Sequence, residues 1–187
     1  GGAGVAGGAA GEDRNRNGID DAADYAIVNL KLVGPGFINL PMTSFVYFDR
    51  HTRYGSRYQA PFGGNVGAIG WYQVLRGLPP SPIGPPDPNP LINPTTQSPS
   101  KFWANGDPVL HYGWLDGEPL LPGDREVVIA SGPFSMAVGD TQEVVFAVIG
   151  GLGSDYLSSI KVLKYNDKVA QVAYNSTFSL PKSPPPP

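Results

Sequence analysis

The sequence predicts a mainly β fold: a β-sandwich-like single domain with one long C-terminal helix, extended termini and a long Pro-rich loop. Three observations predict it. Gly 25 and Pro 21 in 187 residues break helices and favour short strands joined by turns. Hydrophobic residues make up 41% and charged residues only 16%, against about a quarter charged in an average globular domain. The chain therefore has apolar side chains enough for a core. Finally, most apolar runs are short, and one segment near the end carries a helical period.

The elements follow in order. Residues 1–11 form a Gly/Ala-rich arm with few side chains to bury. Ordering such a decamer costs on the order of 10 kcal/mol of backbone entropy, which backbone hydrogen bonds would have to recover. Gly1, Gly2, Ala3, Gly4, Val5 and Ala6 are therefore expected to lie as a strand along the sheet edge of a neighbouring copy. Head-to-tail contacts of that kind generate open filaments. Residues 12–24 form an acidic loop, and a β-rich module spans 25–181. Within it, Ala26–Val33 and Thr43–Phe48 read as strands through Ile27, Leu30, Leu32, Val46 and Phe48. Pro79–Pro99 holds neither a helix nor a central strand and reads as an ordered surface loop or a wrap over the core. Glu126–Ala130 and Glu143–Ile149 read as strands, and Ser135–Val138 runs into the turn at Gly139-Asp140. Ser154–Phe178 reads as the helix, with Ser154 as N-cap, Asp155 favouring the first turn and a stripe of Val162, Tyr165, Val169, Val172 and Ala173. Residues 182–187 are a Pro-rich linker, a stiff spacer toward a following domain.

Composition excludes some functions. The formal net charge of −3 leaves no basic excess for a nucleic-acid backbone. No apolar run approaches the roughly 20 residues of a membrane span. Cys 0 removes disulfides and thiolate chemistry and fits a bacterial extracellular protein better than a small animal secreted one. Opening on Gly1, the chain is expected to be a processed or partial piece of a larger protein.

The strongest chemical motif runs from Asp13 to Asp24. Asp13, Asn15, Asn17, Asp21 and Asp24 fall at loop positions 1, 3, 5, 9 and 12, Gly18 stands at position 6, and Ile19 offers its carbonyl at position 7. Alternate oxygens around a glycine bend are the pattern of a calcium loop, so calcium is the expected ion. Asp24 in place of a bidentate Glu, and Arg14 and Arg16 within the loop, depart from it. The competing reading is a solvated acidic turn. Gly150-Gly151-Leu152-Gly153 before a helix resembles a phosphate cradle, but Tyr156 takes the third glycine position and no βαβ unit follows, so a tight strand-to-helix turn is favoured. Basic and aromatic residues interleave over 47–58, where a solvated hairpin end with arginines over tyrosine faces is favoured over nucleic-acid contact. Trp71, Tyr72, Trp103, Tyr112 and Trp114 could display rings to a sugar, with Trp71, Trp103 and Trp114 as glycan contacts; core packing is the favoured reading. His111 sits in sequence among Asp107, Asp116 and Asp124, yet no nucleophile motif or zinc spacing accompanies it or His51. No catalytic residue is assigned.

Several phrases are shared with a known kind of module. They are Tyr72–Gly77, Gly106-Asp107-Pro108-Val109, Gly113-Trp114-Leu115-Asp116-Gly117 and Pro122-Gly123-Asp124-Arg125. After them come Ser131–Met136, Gly139–Val145, Asp155–Ile160 and Ala170–Asn175. In order and spacing the stretch from about residue 40 resembles a module of very large secreted proteins of Bacteroidetes-like bacteria. In those proteins a Pro-rich linker and fibronectin type III domains follow, and a type IX secretion sorting domain closes the chain. The resemblance implies an extracellular or cell-surface setting and transfers no activity. The expectation is a non-enzymatic extracellular structural module that assembles with copies of itself into a surface fibre, with a calcium-stabilised loop. The alternative is a polysaccharide-binding or adhesion module.

Overall fold

A computed structural model of the chain describes residues 4–6, 13, 16–49, 64–80, 89–117 and 124–179. The elements are β1 (Gly4–Ala6), β2 (Ala26–Val28), β3 (Lys31–Val33), β4 (Phe37–Asn39), β5 (Met42–Asp49), α1 (Gly64–Leu75), β6 (Arg125–Ser131) and α2 (Tyr156–Asn175). They fall into two compact units. The first is discontinuous, residues 1–41 and 133–187; the second is 42–132. The expected single β-sandwich is therefore wrong. The described strands form three two-stranded antiparallel sheets, β1–β4, β2–β3 and β5–β6, and two helices accompany them.

In the first unit, Ala26–Val33 is a hairpin rather than one strand. Asn29 and Leu30 both have positive φ, 49° and 58°, the conformation a two-residue hairpin turn demands. Val28 then faces Lys31. β1 pairs with β4 of the same chain, Gly4 opposite Asn39 and Ala6 opposite Phe37. Gly4–Ala6 thus find a backbone partner in their own chain; Gly1, Gly2 and Ala3 lie outside the described residues. Ala26, Ile27, Ile38, Leu40 and Tyr174 are buried.

Helix α2 begins one residue later than the sequence suggested. Asp155 is the N-cap: its carboxylate accepts the Ser158 N–H at 2.8 Å, and the Ser158 hydroxyl accepts the Asp155 N–H at 2.9 Å. That reciprocal box closes two of the orphan donors at the helix start. Thr177 and Phe178 have positive φ, and the Phe178 N–H reaches back to the Ala173 carbonyl at 2.8 Å, which ends the helix. The apolar stripe is not the buried face. Tyr165, Val169 and Val172 are exposed, while Tyr174 is buried.

The second unit is built on β5, paired with β6 from Asp49 opposite Arg125 to Met42 opposite Ser131, with a bulge between Met42 and Ser44. A third segment joins β5 on its other edge. The Phe45 N–H donates to the Lys101 carbonyl and the Trp103 N–H to the Phe45 carbonyl, each at 3.0 Å. The core gathers Val46, Tyr47, Phe48, Val74, Leu91, Trp103 and Trp114. Leu91 lies in the described part of the Pro-rich segment. Helix α1 was not expected, because glycines and β-branched residues disfavour helices. Its Gly67, Gly70, Gln73 and Val74 are buried, so a small-residue face lets it pack closely. The Ser44 hydroxyl donates to the Leu75 carbonyl at 3.0 Å. Gly77 ends the helix at φ +80°, where a Cβ would stand 2.7 Å from the Lys101 Cβ, so glycine alone suits the position.

Candidate functional site

The acidic loop belongs to the first unit. Asp13 accepts the N–H groups of Asn17 and Gly18, each at 3.0 Å. The Asn17 amide oxygen accepts the Ile19 N–H at 2.7 Å, and its nitrogen donates to both oxygens of Asp24 at 2.9 and 3.1 Å. Asp21 and Asp24 are buried, and Ile19 is exposed. The Asp24 carbonyl accepts the Gly36 N–H at 3.0 Å, which ties the loop to the turn before β4. Asn15 lies outside the described residues. The structure brings Asp13, Asn17 and Asp24 into one hydrogen-bonded loop. Among the described residues no three Asp, Glu, His or Cys side chains gather at ion-holding distance. The Asp13, Asn17 and Asp24 oxygens accept N–H groups of the loop itself, and the described residues lend calcium no support.

The tryptophans divide. Trp103 is 0% and Trp114 1% exposed, both in the core of the second unit. The Trp103 ring meets Tyr47 edge to face at 5.9 Å. Neither presents a ring face to a sugar. Trp71 is 38% exposed and stands edge-on to Phe48 at 5.9 Å. Beside it Tyr72 is exposed, under the Arg76 guanidinium at 5.5 Å. Two neighbouring aromatics on one helix do not make a groove.

The acids around His111 have other work. Asp107 accepts the N–H groups of Val109 and Leu110 at 2.9 and 3.3 Å, an Asx turn. Asp116 takes Arg125 at 3.2 Å, and Arg125 also lies 5.5 Å over the Tyr47 ring. His111 is exposed and joins no acid–base pair. His51 lies outside the described residues, as does most of the 47–58 basic and aromatic stretch.

Glu143–Ile149, expected as a nearly continuous apolar strand, pairs with no strand among the described residues. Among the described residues, nothing donates to or accepts from the backbone of residues 141–149. Val144, Phe146 and Val148 are 73%, 82% and 94% exposed, while Val145 and Ile149 are half-buried. That alternation has the period of an extended strand. Both ends of the segment are anchored. At one end Glu143 accepts the Asn29 N–H at 2.8 Å. Burial pushes the Tyr174 phenol up, and the negative Glu143 adds to it; the Tyr174 hydroxyl donates to the Ile27 carbonyl at 3.4 Å. At the other end the Gly150 carbonyl accepts from the Asn166 amide at 2.8 Å, and the Gly153 N–H donates to the Ser159 hydroxyl at 3.0 Å. The glycine turn thus packs on α2. A fixed, extended, apolar segment with unpaired backbone is a surface made for strand addition. The signal in the sequence was the apolar run itself; its lack of a partner was not legible there.

Comparison with family models, with curated proteins and with solved structures finds no match. No helix among the described residues is long and apolar enough to cross a membrane.

Proposed function

We propose that this chain is a non-enzymatic structural module of a secreted or cell-surface protein, and that it acts by assembling with further protein chains. The observation that carries the reading is the segment Glu143–Ile149. It is anchored at Asn29 and at Asn166 and exposes Val144, Phe146 and Val148 along a backbone with no ladder partner among the described residues. Burying large side chains of this kind stabilises by about 1.5–3 kcal/mol each, and unpaired strand edges recruit other strands. The sequence resemblance to modules of large secreted bacterial proteins supports the extracellular setting. The contact element proposed is this segment and not the head, since β1 already lies on β4.

The reading is tested by light scattering on the purified chain across concentration. Self-association rising from the micromolar to the sub-millimolar range is expected. A monodisperse monomer at the highest concentration would refute it.

A further inference from the structure

Resting on that reading, we infer that the partner of the Glu143–Ile149 segment is the same segment of a second copy, paired antiparallel about a two-fold axis through Phe146. An isologous contact needs a self-complementary surface, and the sequence of this segment is self-complementary in one register. With Phe146 opposite itself, Val144 lies opposite the partner's Val148 and Val145 opposite the partner's Ala147. Glu143, the one charged residue in the segment, lies opposite the partner's Ile149 and never opposite its own copy. Like charges directly opposed would be destabilising.

The neighbouring registers are worse. A shift that exchanges odd for even positions sets Val144, Phe146 and Val148 against the face that carries the half-buried Val145 and Ile149 and the exposed Ala147. Moving the axis to Val145 places Val148 opposite Gln142, and moving it to Ala147 places Val144 opposite Gly150. Of the registers that keep Val144, Phe146 and Val148 on one face, the Phe146 register is the one in which all three meet apolar side chains.

The pairing adds a ladder of about six backbone hydrogen bonds to groups that have no backbone partner among the described residues.

The test uses single cysteines, for which the cysteine-free chain is a clean background. Directly opposed residues in an antiparallel pair have Cα atoms about 4.5–5.5 Å apart, within the 4.4–6.8 Å span of a disulfide. Phe146→Cys is therefore expected to form a covalent dimer on mild oxidation. Val144→Cys alone is expected to stay at background, since its own copy lies four residues along the strand, about 13 Å away. The double variant Val144→Cys with Val148→Cys is expected to cross-link again. Phe146→Glu, with an unchanged far-UV circular dichroism spectrum, is expected to weaken dimerisation about thirtyfold or more. Wild-type self-association with no Phe146→Cys dimer, or with efficient cross-linking of Val144→Cys alone, would overturn the pairing and leave the assembly reading standing. Growth of the wild type past a dimer would overturn the closed two-fold contact. A wild type that stays monomeric would overturn both.

Discussion

Gly150 and Gly151 are adjacent, and the structure assigns opposite signs to the same substitution at the two positions. A Cβ on Gly151 would lie 2.5 Å from the Leu163 nitrogen, 2.7 Å from the Ser159 oxygen and 2.8 Å from the Leu163 Cα. All three are backbone atoms of α2, so no side chain can swing aside, and the turn and helix must part by about 1 Å to restore ordinary contact. The Asn166 bond to the Gly150 carbonyl and the Gly153 bond to Ser159 would stretch with it. Overpacking of this kind costs about 1–3 kcal/mol. Alanine also stiffens the unfolded chain, which returns about 0.4–1 kcal/mol. The clash wins, and Gly151→Ala is expected to destabilise by about 1–2 kcal/mol. Around Gly150 nothing stands within 4 Å of an added Cβ. Gly150→Ala is therefore expected to keep only the favourable term, a gain of about 0.4–1 kcal/mol. Urea denaturation followed at 222 nm measures both, and the difference between the two midpoints is the readout. Equal midpoints, or a Gly151→Ala protein as stable as wild type, would show that the turn does not pack on α2 as described.

Other perturbations separate the remaining elements. Trp103→Ala, which empties a fully buried site, is expected to cost about 3–5 kcal/mol, whereas the exposed edge of Trp71 makes Trp71→Ala cheaper; chemical denaturation of the two variants compares them. Asp24→Ala leaves the Asn17 amide without its acceptor and is expected to cost about 1–3 kcal/mol. The loss should be the same in calcium and in chelator, and a loss confined to calcium, seen by thermal melting, would restore the ion to the loop. At Asp155 the Ser158 N–H holds the carboxyl below its ordinary value. A folded-state pKa depressed in this way contributes stability that is full above the unfolded value and is lost as pH falls through the folded one. Helicity near the start of α2 is thus expected to fade below about pH 4 in wild type, and Asp155→Ala should remove that acid-sensitive component, as circular dichroism titration would show.

What was legible in the sequence were features with local causes. Helix α2 announced itself through its apolar period and its acidic start, and the one-residue error came from Ser154 and Asp155 both being good caps. β5 and β6 were legible as runs of Val, Ile and aromatics. The hairpin turn at Asn29-Leu30 was hidden because leucine rarely takes a positive φ, so nothing in its identity signalled a bend. Helix α1 was hidden for a different reason. Its stability comes from the close approach that Gly67 and Gly70 permit, a tertiary effect that outweighs poor propensity. Composition could not say which tryptophans face inward, since Trp71 and Trp103 look alike in their local sequence. Nor could an apolar run such as Val144–Ile149 reveal whether its chain supplies a neighbouring strand.

The ladder that sets Met42 opposite Ser131 makes the second unit a parenthesis in the chain: it opens and closes at one spot, and the first unit is written on both sides of it. Synthesis is sequential, so residues 1–41 emerge well before the 133–179 that complete them. At about 5–20 residues per second the interval is about 5 to 20 s. Within it the β2–β3 hairpin can form, yet an isolated hairpin is marginal in water, and Ile27 lacks Tyr174, whose hydroxyl its carbonyl accepts in the finished fold. That carbonyl is open to the carboxy-terminal stretch of whichever copy reaches it first. Exchange of halves between chains made side by side is thus a hazard of connectivity alone, and it would be strongest where copies are most crowded.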